Sequence, residues 1–210
     1  MCLRIGEKAV NAWLCVVAIA MNLLILKEIR LCGLHVTAVE SLGVSYILGL
    51  NLMQEYYGKR AARTHVMIAA ICTFGFVVLQ QLHMIFEPDG FDTTQIHYSA
   101  IFDVMPMLTA VSFISFIFIQ VLDIRFFSWL QQKIGTKNLT LRITISLMMS
   151  QTVDTLVFYS LLSCAHIWSN VFHIIIFTLI IKFIVIFLIA PYSALANLFV
   201  GKKSPVLLEV

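Results

Sequence analysis

Three residues of one apolar stretch carry the richest chemistry in the chain. Gln151, Asp154 and Phe158 stand three and four residues apart, which puts them on one face of a helix. A carboxylate accepts hydrogen bonds, an amide donates and accepts, and a phenyl ring stacks. Together they suit a flat heterocycle with several polar edge groups. Phe158 is also one of 16 phenylalanines, so plain packing accounts for it equally well. Lys182 lies in the next apolar stretch. At 1.5 Å per residue, Asp154 is roughly 18 Å beyond Arg142, and Lys182 is roughly 16 Å beyond Val171 on a helix running the other way. The two therefore reach similar depth. They can be a simple ion pair holding two helices together. They can also line a polar cavity near the bilayer centre, where transporters place small-solute sites. Both readings can hold at once.

Two further stretches carry polar groups. Glu40, Asn51 and Glu55 follow at helical spacing, so Glu40 and Asn51 point about the same way and Glu55 lies one turn further. Glu55 sits near a helix end beside Lys59, where an exposed carboxylate is the bland account. Gln120 and Asp123 close another stretch, with Ser112 on the face of Asp123. Serines at that spacing serve close helix packing as readily as binding. Arg142 reads by default as a snorkelling interfacial cation. An ionisable group at the centre of a span costs about 2.5–3.5 kcal/mol on insertion scales, so each such group needs a partner or a function.

The elements that position these groups follow from composition. Of 210 residues, 60% are hydrophobic and 12% charged, and mean hydropathy is +0.95. A soluble domain is about a quarter charged. An ordinary globule, a disordered chain and a disulfide scaffold are excluded. The expectation is an all-α polytopic membrane protein: one domain, 1–210, bundling six transmembrane helices at about 9–26, 36–53, 66–86, 104–122, 143–163 and 171–190. Arg4 and Lys8, Lys59, Arg60 and Arg63, Arg125, Lys133, Lys137 and Arg142, and Lys202 and Lys203 all fall on one side. The other side has Lys27 and Arg30, and its loop 87–97 carries Glu87, Asp89 and Asp92 without a cation. The positive-inside rule then predicts both termini in the cytoplasm. The first stretch is too long for a signal-peptide core and no cleavage site follows it, so it is expected to stay as a span. A net charge of +3 is too mild for a nucleic-acid partner.

The five cysteines, Cys2, Cys15, Cys32, Cys72 and Cys164, are scattered, and small apolar packing is their expected role. The six histidines sit singly; His83, His166 and His173 fall near outer span ends. No metal spacing and no cofactor motif is found. G-x-S-x-G, H-E-x-x-H and the P-loop are missing, so a serine hydrolase, a zincin and a built-in ATPase are disfavoured.

The ordered motifs resemble one family. The run 51–63, with Asn51, Glu55, Tyr57, Gly58 and Arg63, is similar to the Asp-(x)3-Glu-(x)-Tyr-Gly-(x)3-Ala-Arg segment of the queuosine precursor transporter family, also called the vitamin uptake transporter family. Gln120 and Asp123 resemble its fourth-span Gln-x-x-Asp. Arg142, then Ser150, Gln151, Asp154, Thr155 and Phe158, resemble its fifth span, and Lys182 with Pro191 and Tyr192 its sixth. The resemblance implies six-span import of a 7-deazaguanine base across the bacterial inner membrane, with no cofactor. A carboxylate can accept both donors of a guanine-like edge. Asp154 is the expected acceptor, Gln151 the partner of the ring carbonyl, Phe158 the stacking ring and Lys182 the counter-ion. Three positions depart from the family: Asn51 replaces its usual Asp, Val44 a common Pro, and Glu40 lies outside its pattern. Glu40 is accordingly an expected acceptor for a cationic aminomethyl-type substituent.

The sequence thus predicts a carrier of deazapurines such as 7-cyano-7-deazaguanine or queuine, with Asp154, Gln151, Lys182, Phe158, Asn51, Asp123, Gln120, Glu40 and Glu55 as substrate-binding candidates. Its other expected partner is the lipid bilayer, and homo-oligomers are common among small carriers. Proton coupling is left open; Asp123 or Glu40 could titrate. A membrane subunit that binds substrate for a separate ATPase is the alternative. A lipid or prenyl enzyme would need an acidic metal cluster that the chain lacks, and polar residues that merely pin helices are the general structural account.

Overall fold

The computed structural model describes residues 2–31, 34–37, 39–134, 139–164 and 171–189. Seven helices and one hairpin follow in order among them: α1 Cys2–Ile5, α2 Glu7–Leu24, β1 Glu28–Leu31, β2 Leu34–Thr37, α3 Glu40–Met84, α4 Gln95–Phe102, α5 Met105–Ile134, α6 Leu139–Cys164 and α7 Val171–Ile189. The α3 helix is two arms meeting at Gly58, whose φ of 89° and ψ of 167° break the helix. The arms fold back on each other: Tyr46 Oη on the first lies 2.8 Å from His65 Nε2 on the second, across 19 residues. A straight helix would separate them by roughly 28 Å. Only glycine reaches that backbone region without penalty. Tyr57, beside it, donates from its hydroxyl to the Leu3 carbonyl at 3.2 Å and ties α1 to the turn.

Counting each arm of α3 separately, the described residues form six long helical segments that overlap the six apolar stretches of the sequence. α3 packs against α2, α5, α6 and α7, and α6 lies between α5 and α7. The core is apolar, built on Leu14, Val44, Ile47, Phe127, Ile143 and Leu147. α2 and α3 approach so closely that a Cβ on Gly49 would meet Leu14 Cδ2 at 2.5 Å, the close contact small residues permit. The outer surface is apolar as well. On the second arm of α3, Met67, Ile71, Phe74, Val78 and Leu82 form an exposed stripe at spacings of three and four. Water disfavours such a stripe and lipid accepts it. Among the described residues, Glu7–Leu24 and Glu40–Met84 contain windows long and apolar enough to cross a bilayer, with mean hydropathies of 1.4 and 1.8; Ile175–Ile189 is a shorter apolar stretch.

Two helix limits differ from the ends of the apolar stretches. The second span starts as helix at Glu40 rather than at residue 36, because Glu28–Leu31 and Leu34–Thr37 pair as an antiparallel hairpin, Ile29 opposite Val36. Ile29, Val36 and Thr37 are β-branched, which favours a strand, and a short apolar run cannot tell strand from helix. The fourth helix does not end at Leu122 but continues to Ile134. Asp123 interrupts the apolar run, yet its Oδ1 accepts two hydrogen bonds from inside the bundle, and Arg125 is exposed.

Candidate functional site

Lys182 organises the site. Its ammonium, on α7, lies 3.0 Å from Glu40 Oε2 on α3 and 3.1 Å from Asp154 Oδ2 on α6, and donates to Thr155 Oγ1 at 3.0 Å. An ammonium has three N–H donors, so all three are used. Helix periodicity brings Asp154 and Thr155 to the α7 side of α6, and the first turn of α3 delivers Glu40 from the other side. Thr37, the last residue of the hairpin, donates from its hydroxyl to Glu40 Oε1 at 3.2 Å. The expected Asp154–Lys182 pair forms, and Glu40 joins it.

These three groups line a cavity of about 240 Å³, just below the roughly 300–1,000 Å³ of drug-sized ligand sites. Gln151, Gln120 and Phe158 line it too. Its wall runs from Leu26, Thr37 and Val104 at the hairpin end down to Gln120 and Gln151. Three polar atoms in that wall, Gln151 Oε1, Gln120 Oε1 and Ser112 Oγ, are buried without a partner among the described residues. Buried polar atoms are normally paired; further unpaired ones lie away from the hollow, on Asn51, Gln54, Gln80, Asp123 and Arg142. The aromatic part of the wall is Phe158 edge-on to Tyr159, centroids 5.6 Å apart, and Tyr46 tilted against Phe116 at 5.5 Å.

Three of the candidates lie outside this wall. Asp123 is buried and accepts hydrogen bonds from Ser146 Oγ at 2.7 Å and from Ser150 Oγ. Asn51 is buried with neither side-chain atom paired among the described residues. Glu55 is not the exposed carboxylate that its place near Lys59 suggests, and Arg142 is not a snorkelling cation. Both are buried, and they pair with each other at 2.8 Å between Nη2 and Oε1. Phe127 covers the guanidinium at 5.5 Å, and Gln131 Nε2 lies 3.5 Å from Glu55 Oε2. Beside them Gln54 Nε2 donates to Ser128 Oγ at 2.8 Å and to the Ile124 carbonyl at 3.1 Å, joining α3 to α5. Asn51 shares a face with Glu40, but eleven residues place it roughly 16 Å deeper along the arm, below the cavity.

Gln54, like the buried Asn22, Gln80 and His65, has no counterpart among the candidates read from the sequence. His65 is buried, with Nδ1 2.5 Å from Asn11 Oδ1 and Nε2 2.8 Å from the Tyr46 hydroxyl. Its partners stand 54 and 19 residues away, so no local spacing could reveal it. Among the described residues no His, Cys, Asp or Glu cluster could hold a metal ion, and Cys2, Cys15 and Cys72 are free. Cys32, His166, Pro191 and Tyr192, and the side chains of Cys164 and His173, lie outside the described residues.

A helical membrane bundle with a buried ionic cluster in the wall of a ligand-sized hollow has the build of a membrane transporter. The chain belongs to the vitamin uptake transporter family: the family described as "Putative vitamin uptake transporter" matches residues 42–196. It is therefore a transporter and not an enzyme. A protein of Bacillus subtilis (strain 168) named "Probable queuosine precursor transporter" is 27% identical over 197 residues, covering 91% of this chain and 85% of that one. No solved structure matches.

Proposed function

We propose that this chain is a six-span carrier importing a queuosine precursor, a 7-deazaguanine-type base, across the bacterial inner membrane with both termini in the cytoplasm. The observation that carries this reading is the cavity wall: a partly exposed carboxylate, Asp154, beside orphaned amide oxygens of Gln151 and Gln120. A 7-deazaguanine presents a ring N–H and an exocyclic amine side by side. Asp154 accepts that pair in charge-assisted hydrogen bonds. The Gln151 side chain meets the neighbouring edge, and Phe158 covers the ring. The name carried by the Bacillus subtilis relative supports the substrate class.

The cavity extends from the hairpin end to mid-depth, and the other end of the bundle is filled by Glu55, Arg142, Asp123 and their partners. With the termini inside, the cavity lies in the outer half of the bundle. Substrate enters along the hairpin, and release requires the packing around Arg142 to part. Lipid surrounds the exposed apolar stripes, and a homo-oligomer is compatible with them.

The test uses cells that cannot synthesise queuosine. They express the chain, receive 7-cyano-7-deazaguanine or queuine, and are assayed for tRNA modification. Uptake is expected with the parent chain and lost with Asp154→Ala at equal membrane abundance. Near-normal uptake by that variant removes Asp154 from the site. Uptake by the chain alone in liposomes without ATP separates a self-sufficient carrier from a subunit that needs an ATPase.

A further inference from the structure

The two carboxylates that share Lys182 are not equivalent. Both oxygens of Glu40 are engaged, Oε2 by Lys182 and Oε1 by the Thr37 hydroxyl, and its side chain is 11% exposed. Among the described residues only Oδ2 of Asp154 is engaged, by Lys182, and its side chain is 32% exposed in the cavity wall. Lys182 has no donor to spare, since Thr155 takes the third. Asp154 thus keeps one whole oxygen for a guest, whereas each oxygen of Glu40 already holds a contact.

We propose that Glu40 is the positioning residue that frees Asp154 for the ligand by keeping Lys182 neutralised. The proposal rests on the reading of Asp154 as the carboxylate that meets substrate. Without Glu40, Asp154 is the sole counter-charge of a buried ammonium. A ligand that draws Asp154 away would then leave that ammonium unpaired, which low-dielectric surroundings penalise heavily. With Glu40 in place, one carboxylate stays on Lys182 while the other turns to the ligand's N–H donors. Lys182 thus keeps a carboxylate partner before and after binding, and the excess negative charge of the cluster, one lysine against two carboxylates, rests on Asp154, where the ligand's N–H donors meet it. Thr37 fixes Glu40 in that post, which links the hairpin to the charge balance of the cavity.

The proposal predicts an interaction between positions. Binding of neutral 7-cyano-7-deazaguanine is measured by calorimetry on the purified full chain in lipid nanodiscs. Glu40→Gln is expected to raise Kd by about ten- to a hundredfold, the size of one competing charged hydrogen bond. Glu40→Gln combined with Lys182→Met is expected to bind no more weakly than Lys182→Met alone, because Glu40 aids binding only through Lys182 and, with the cation gone, merely repels Asp154. A Glu40→Gln chain that binds like the parent overturns the proposal. So does a double variant clearly weaker than Lys182→Met. Should Glu40→Gln not fold, the comparison of the double variant with Lys182→Met still decides, since neither carries an unpaired ammonium. Asp154→Asn is the separate control. Full binding by that variant sinks the assignment of Asp154 itself, whatever Glu40 does.

Discussion

Arg142 and Glu55 meet in parallel, Nη1 donating to Oε2 at 2.9 Å and Nη2 to Oε1 at 2.8 Å. They stand 87 residues apart in sequence. The fork joins the first arm of α3 to the opening turns of α6. Along α3 it lies fifteen residues, roughly 22 Å, from Glu40 and the Lys182 cluster. Among the described residues the bundle therefore carries two ionic clusters, one in the cavity wall and one outside it where packing is tight.

Breaking the fork from one side leaves an uncompensated buried charge, which costs about 3–5 kcal/mol. Glu55→Gln and Arg142→Met should each lower the thermal midpoint of the detergent-solubilised chain strongly. Arg142→Lys should not restore it, because an ammonium cannot make the paired contact. Glu55→Met with Arg142→Met should be more stable than either single variant. Parent-like melting of a single variant would show that the fork does not hold the fold.

Gly58 turns the chain between the two arms of α3 at φ 89° and ψ 167°, a region costly to any residue with a Cβ. Gly58→Ala should destabilise the chain by about 1–3 kcal/mol and reduce the folded yield from membranes. Equal thermal midpoints for Gly58→Ala and the parent would mean that the turn tolerates an ordinary backbone.

The sequence showed the membrane class, the helices and the Asp154–Lys182 pair, because length, apolar runs and depth along consecutive helices are additive quantities. Glu40 is harder to place. Counting residues along the second apolar run puts it nearer the outside, and only the hairpin before it shows why α3 starts there. Glu55 and Arg142 were misjudged for one reason: each stands near a helix end among other charges, where exposure is the default. Their burial depends on α5 supplying Phe127 and Gln131, a long-range fact without a local signature. His65 is hidden in the same way between Asn11 and Tyr46. Asp123 marks the limit of the apolar-run argument, since hydroxyls from α6 let a carboxylate continue a buried helix.

Orientation can be read with an impermeant maleimide. In a chain whose five native cysteines are replaced by serine, Asp89→Cys should be labelled on intact cells, and Arg60→Cys only after permeabilisation. Both positions are exposed, so accessibility reports the side of the membrane rather than burial. The reverse pattern would invert the bundle and put the cavity mouth on the cytoplasmic face.

Gln151 offers the sharpest separation of binding from stability. Its Oε1 is buried without a partner among the described residues while the side chain lines the cavity. A buried polar atom that lacks a hydrogen bond adds nothing to the empty fold, and replacing it with an apolar group of similar size is close to neutral or stabilising. Gln151→Leu should therefore melt at or slightly above the parent midpoint. The same change removes the group that meets the ligand's edge, so KM for the deazaguanine should rise about tenfold, equivalent to about 1.4 kcal/mol, while membrane abundance stays level. A drop in stability with unchanged KM would mean that Gln151 serves the packing of α6 and that the ligand lies elsewhere in the hollow. Loss of both would trace the uptake defect to folding and leave the edge contact without support.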